Sequence, residues 1–199
     1  RFDAQEDIYA ELKLLGRQYR FFMESRIEHL LNLTHLLDYT MPGIKSCFGG
    51  WSETSGKDKL CDFVEEYWHY DNITKRSESK FVEHYQKWTK KKGYHQSESK
   101  AIQIYRLARE GIPTIPSNTP STKMLLLEAV KALREVNGAL FAILTRMQEL
   151  ARGLPEYPVV RAMGGVGDVL SVKLIAEIGD VTKIFLQGYI HIICLKTVQ

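Results

Sequence analysis

The sequence predicts an all-α fold: two long, antiparallel, coiled-coil-like helices, shorter helices between them, and a helix–hairpin–helix towards the C-terminal end. Three observations predict it. Apolar residues recur at alternating steps of three and four over Ile8–Phe22, continued by a shifted apolar stripe to Leu37, and over Leu126–Ala151. Shorter stretches with a helical period lie between Pro42-Gly43 and the Ser117–Ser121 segment. A Gly165-Val166-Gly167 turn then joins two further short helical patterns.

In chain order, Ile8, Leu12, Leu15, Tyr19 and Phe22 form the first seam. The stripe then shifts to Ile27, Leu30, Leu31, Thr34 and Leu37, which reads as a local break in the heptad within one helix. Pro42-Gly43 ends that helix. Shorter helices are predicted over residues 58–73, 77–91 and 96–110, the first two rich in aromatics, with Gly93 and Gly111 marking ends. Ser121 is the candidate N-cap of the second long helix. Its seam is Leu126, Val130, Leu133, Asn137, Leu140, Leu144, Met147 and Ala151, and Gly153 and Pro155 stop it. Asn137 is a polar residue on that seam, of the kind that fixes register at a cost in stability. The matching periods fit pairing within one chain and pairing between two, and an ordinary helical bundle equally. A short strand is admissible only at Tyr189–Leu195.

Composition bounds the function classes. Apolar residues at 44% and charged residues at 26% suit a water-soluble globular chain. No apolar run approaches the roughly 18 residues of a membrane span. Three scattered cysteines, Cys47, Cys61 and Cys194, suggest no disulfide framework and point to a reducing, cytoplasmic compartment. No signal peptide is expected, and a start at Arg1 suggests an upstream segment missing from this chain.

Net charge is only +3, but it is unevenly spread. Residues 49–73 hold six acids and two bases, whereas residues 74–109 hold ten Lys/Arg and three acids. A basic block is the electrostatic footprint of a polyanion partner, and it is also what a solvated helix face looks like. Within it Lys87, Lys90, Lys91 and Lys92 stand beside Trp88 and Tyr94. Lysines with interleaved aromatics suit phosphate contact and base stacking. Trp88 reads more readily as core than as a stacking platform.

The turn at residues 158–178 carries the sharpest functional signal. Pro158 suits the first turn of a short helix, with Val160 and Met163 packing inward. Gly165 and Gly167 permit a tight hairpin plugged by Val166. Ser171 allows close approach, and Leu174, Ile175 and Ile178 form the buried face of a second helix. Free N–H groups at the start of that helix can dock a phosphate without reading bases. Arg161 and Lys173 add charge at the rim. Asp168 either caps the second helix or repels DNA, and the turn serves equally as a packing corner.

The blocks Met163-Gly164-Gly165-Val166-Gly167 and Ala176-Glu177-Ile178-Gly179-Asp180, with the stretch from Leu154 between and before them, closely resemble the C-terminal transposase region of the insertion-sequence 110/116/902 family. Leu14-Leu15-Gly16-Arg17 and Tyr39-Thr40-Met41-Pro42-Gly43 look like the segment after that family's nuclease-like domain, so the resemblance spans about residues 5–183. It implies a DNA transposase or recombinase with an N-terminal metal-binding, RuvC-like domain, a helical coiled-coil region, and a C-terminal domain bearing a nucleophilic serine. It also implies that a divalent metal, Mg, serves the full-length protein and that this piece holds none. The acidic metal ligands would precede residue 1, and the serine would follow Val181, where the tail departs from the family as a frameshifted or truncated element would.

No catalytic residue is transferred. Residues 1–153 are expected to form the helical region, 154–183 the start of the C-terminal domain, and 184–199 an atypical tail. The expected function is nucleic-acid binding, to DNA or RNA, through Lys87, Lys90, Lys91, Lys92, Arg161, Gly165, Val166, Gly167 and Lys173. Homo-oligomerisation through the seams is also expected, and a non-enzymatic dimerisation module is the alternative. Glu65, Glu66, His69 and Asp71 have neither the spacing for acid–base work nor, with Cys47 and Cys61, that for a zinc site.

Overall fold

A computed structural model describes residues 4–179. Within them lie eight α-helices and no strand: α1 (Ala4–Thr40), α2 (Lys59–Glu66), α3 (Tyr70–Thr74), α4 (Glu78–Lys92), α5 (Glu98–Glu110), α6 (Pro120–Arg152), α7 (Glu156–Arg161) and α8 (Asp168–Ile178). The candidate strand at Tyr189–Leu195 and the tail 184–199 lie outside the described residues. The described residues divide into two compact units, one joining those up to Met23 to those from Ala139 onward and the other comprising Glu24–Gly138. Both long helices contribute to each unit.

All eight seam positions of α6, from Leu126 to Ala151, are buried. The seam of α1 differs from its sequence reading. The buried positions are Tyr9, Leu12, Tyr19, Arg26, Leu33, Leu37 and Thr40, with Gly16, Met23 and Leu30 half-buried between them. These step by three and four without interruption, so the heptad does not break. The sequence signal failed because a glycine and an arginine occupy seam positions. Ile27 and Leu31, assigned to the seam by their apolarity, are 52% exposed.

Arg26 is tolerated there because it is partnered. Its Nε donates to Asn137 Oδ1 at 2.8 Å, and its Nη2 lies 3.8 Å from Asp58 Oδ2. Asn137 Nδ2 in turn donates to Asp58 Oδ2 at 3.3 Å. The three side chains belong to residues 8%, 9% and 4% exposed for Arg26, Asp58 and Asn137. Asp58 also caps α2, accepting from the amides of Leu60 and Cys61 at 3.1 and 3.2 Å. Thus the polar seam residue seen at Asn137 has its complement on α1 and on the cap of α2.

The predicted helix over 58–73 is two helices. Tyr67 closes α2, and His69 opens α3 by accepting from the Asp71 amide through Nδ1 at 3.0 Å. Its Nε2 faces the Ile115 carbonyl at 3.0 Å, so Nε2 carries the proton and the ring is held from both sides. The helix α6 starts on Pro120, one residue before the expected cap Ser121, since proline suits the first helical position.

The core of the Glu24–Gly138 unit is aromatic. Phe63, Tyr67, Phe81, Tyr85 and Trp88 are buried there. Phe63 and Tyr67 stack with ring centroids 4.8 Å apart, and Trp88 meets Phe63 edge-on at 6.0 Å. Trp88 is therefore core. The glycine Gly111 marks a close approach: a Cβ there would lie 2.5 Å from Tyr70 Cε2.

Candidate nucleic-acid interface

Helix α4 turns Phe81, Tyr85 and Trp88 into the core. On a helix advancing about 100° per residue, Lys80, His84, Lys87 and Lys91 fall on one outward stripe, at i, i+4, i+7 and i+11. Lys80, Lys87, Lys90 and Lys91 are exposed. Lys87 reaches Glu83 at 2.5 Å in an exposed i,i+4 pair. Among the described residues Lys80, Lys90 and Lys91 form no salt bridge. Lys80 was missed by the sequence reading because it lies outside the lysine cluster, although its seven- and eleven-residue spacing to Lys87 and Lys91 was there to be seen.

Lys92 is a different case. It sits on the inner flank of α4, 3.5 Å from Asp62 and 3.9 Å from Glu65. The same two acids hold Arg134, with Nη2 at 2.6 Å from Asp62 Oδ1 and both guanidinium ends on Glu65. The Arg134 hydrogen bond holds the Glu65 carboxyl below its usual range. Tyr94 completes the cluster by donating to Asp62 Oδ2 at 2.7 Å, and its ring lies 5.9 Å from Trp88. Lys92 and both aromatics therefore fasten the end of α4.

The end of α4 is itself well closed. Gly93 takes φ 71° and donates to Lys90 O, while Tyr94 N reaches back to Thr89 O at 2.8 Å. Lys90, Lys91 and Lys92 thus also offset the negative end of the helix dipole, so part of the cluster has a structural reason.

The α7–α8 hairpin forms as a helix–turn–helix, with Gly165 at φ 81°. Gly167 is extended, at φ −85° and ψ 176°, so only Gly165 needs glycine's backbone freedom. Ser171 is buried, as are Val172, Ile175 and Ala176. Met163 and Ile178, expected inside, are 55% and 48% exposed. Val166 is half-buried, and its amide is taken by Met163 O at 3.1 Å.

Arg161 does not point outward as a free cation. Its Nε pairs with Asp168, and its Nη1 donates to the Val166 carbonyl at 2.9 Å. That hydrogen bond holds the Asp168 carboxyl below its ordinary range. Asp168 thus ties the hairpin together and makes no cap: α8 has no side-chain cap at Gly167. Lys173 lies 4.5 Å over the Tyr19 ring. The start of α8 thus has no side-chain cap, and most of the hairpin's charge is already spent.

Glu65 faces Arg134, while Glu66 lies 3.9 Å from His84 Nε2. Cys47 and Cys61 are buried, and burial pushes both thiols up. Among the described residues no group of three His, Cys, Asp or Glu side chains is placed to hold a metal ion. No described helix is long and apolar enough to cross a membrane. Comparison with protein-family models, curated proteins and solved structures finds no match.

Proposed function

We propose that this chain is a helical, nucleic-acid-binding piece of a DNA transposition protein, which holds the phosphate backbone on the outer row of α4. The observation that carries the binding is the row itself: Lys80, Lys87 and Lys91 on one exposed face, with Lys90 beside it. Eleven residues of helix span about 16 Å, enough for several phosphates along one strand. The Lys87–Glu83 pair is exposed to solvent and weakly held, so a phosphate can replace it. The part played by transposition rests on the resemblance of the Met163–Gly167 and Ala176–Asp180 blocks. The hairpin amides at the start of α8 are a secondary phosphate contact.

The test is fluorescence anisotropy with a labelled DNA duplex and an RNA of equal length, between 50 and 200 mM salt. Affinity should fall with salt, and replacing Lys80, Lys87 and Lys91 by Gln should reduce the logarithmic salt slope by roughly 2 to 3. Salt-independent binding, or an unchanged slope in the triple variant, refutes the proposal. A second reading, an interaction module without nucleic acid, is favoured by Ile27 and Leu31, exposed one turn apart on α1. Sedimentation would then show self-association that Ile27→Ser abolishes.

A further inference from the structure

We infer that His84 is a further phosphate contact of the α4 row, an imidazole N–H held outward by the Tyr67 hydroxyl, and that its protonation tightens the grip on a polyanion. The inference rests on the reading of α4 as a phosphate-binding row. It starts from a side chain that neither the core nor the lysine cluster explains. His84 lies on the stripe between Lys80 and Lys87, one turn from each, and its side chain is 37% exposed.

The orientation of the ring is fixed from inside. The Tyr67 hydroxyl lies 2.5 Å from His84 Nδ1. Among the described residues this hydroxyl has no other hydrogen-bond acceptor, so it donates to Nδ1. Burial, with Glu66 nearby, also pushes the Tyr67 hydroxyl pKa up, so it keeps its proton. The neutral imidazole must then carry its own proton on Nε2. Nε2 lies 3.9 Å from Glu66 Oε1, within ion-pair range but beyond hydrogen-bonding reach. A donor is therefore presented among lysines with no hydrogen-bond partner in the described structure.

The charges facing the ring set its response to pH. Glu66 comes from the end of α2, Lys75 and Arg76 follow the end of α3, and Lys87 comes from α4 itself. Partial burial first, then Arg76, lowers the His84 pKa, with Lys87 and Lys75 adding to this and Glu66 opposing it. The free protein thus holds His84 neutral at pH 7. A docked phosphate reverses the balance, because it screens the cations and offers the imidazolium an acceptor. By linkage, binding then takes up a proton, and affinity rises as pH falls. Protonation also requires the Tyr67 hydroxyl to turn from donor to acceptor, which keeps the free ring neutral until the ligand arrives.

The experiment measures duplex DNA affinity from pH 7.5 to 5.5 at constant ionic strength, with circular dichroism at each pH confirming the fold. Wild type should gain roughly threefold more affinity over this range than His84→Gln, the value of one exposed charge pair. Comparison with His84→Gln subtracts the other histidines. Glu66→Gln should bind more tightly at pH 7.5, by removing a carboxylate from the row, and should keep the pH dependence. Salt-dependent binding with superimposable pH profiles in wild type and His84→Gln overturns the role of His84 and leaves the phosphate row standing. Absence of salt-dependent binding at every pH overturns both.

Discussion

The Arg26–Asp58–Asn137 layer should be the most sensitive polar point of the Glu24–Gly138 unit. Replacing Asp58 by Ala removes two things. The cap on Leu60 N and Cys61 N is lost, at about 1 kcal/mol. Arg26 is also left 8% exposed without its carboxylate. Breaking a buried ion pair from one side costs about 3–5 kcal/mol in general. The 3.8 Å separation, the retained Asn137 bond and the Trp51 ring 5.5 Å from the guanidinium place this case at about 2–3 kcal/mol. The total is about 3–4 kcal/mol. Arg26→Leu strips Asn137 of one partner and Asp58 of its counter-ion, but the carboxylate keeps hydrogen bonds from Asn137, Leu60 N and Cys61 N, so it should cost about 1–2 kcal/mol. The double variant strands no charge, so its cost should fall about 2 kcal/mol below the sum of the singles. All three tryptophans, Trp51, Trp68 and Trp88, lie in this unit, so their emission in a urea titration reports on it alone. With an m-value of about 2 kcal/mol/M, Asp58→Ala should move the midpoint by about 1.5–2 M. A coupling under about 0.5 kcal/mol would refute the idea that the three side chains act as one buried unit.

Two further perturbations separate structure from charge. Gly165→Ala should destabilise the hairpin by about 1–2 kcal/mol, since φ is 81° there, whereas Gly167→Ala, at the extended N-cap of α8, should cost less, about 0.5 kcal/mol, the preference of an N-cap for Gly over Ala. Hydrogen exchange along α8 distinguishes them, and equal effects would deny the difference in backbone geometry. Arg134→Ala should lower stability at pH 7 by about 0.5–1 kcal/mol, the range for a pair this exposed. Because the Glu65 carboxyl lies below its unfolded value in the fold, that contribution is present above about pH 4.3 and lost as pH falls through the folded value. The thermal unfolding midpoints of the two proteins should therefore differ at pH 7 and draw together as the pH is lowered through the folded value.

How far the fold could be read from the sequence depended on what occupied the seams. The α6 seam was legible at every position because apolar residues fill all but one, and Asn137 is a familiar exception. The α1 seam has the same period but places Gly16, Arg26 and Thr40 on it. Apolarity then pulled the assignment onto Ile27 and Leu31. The partners that make Arg26 acceptable lie 32 and 111 residues away, beyond any local pattern. The break between α2 and α3 carries no Gly or Pro; it depends on His69 acting as a cap while bonding Ile115, a long-range contact. On α4, the core-facing side of Phe81, Tyr85 and Trp88 was legible from spacing, and with it the outward direction of Lys87 and Lys91.

The charge asymmetry along the chain needs the same separation. The acidic block at 49–73 is not a solvated counterweight to the basic block. Asp58 faces Arg26, Asp62 and Glu65 hold Arg134 and Lys92, Glu66 stands by His84, and Asp71 accepts from Ser117 at 2.5 Å. Much of this acid is spent inside the unit, on cations from α1, α4 and α6. Local excess charge in a sequence window therefore overstates the proposed interface, because some of those cations are committed to folding. Lys92 shows this most directly, since it adjoins Lys91 in sequence yet serves the core side of the helix. The effective row is the smaller set that the helical angle turns away from those acids: Lys80, Lys87, Lys90 and Lys91. A salt slope matching about four contacts at most, and not the seven of the block's net charge, is what this division of labour requires.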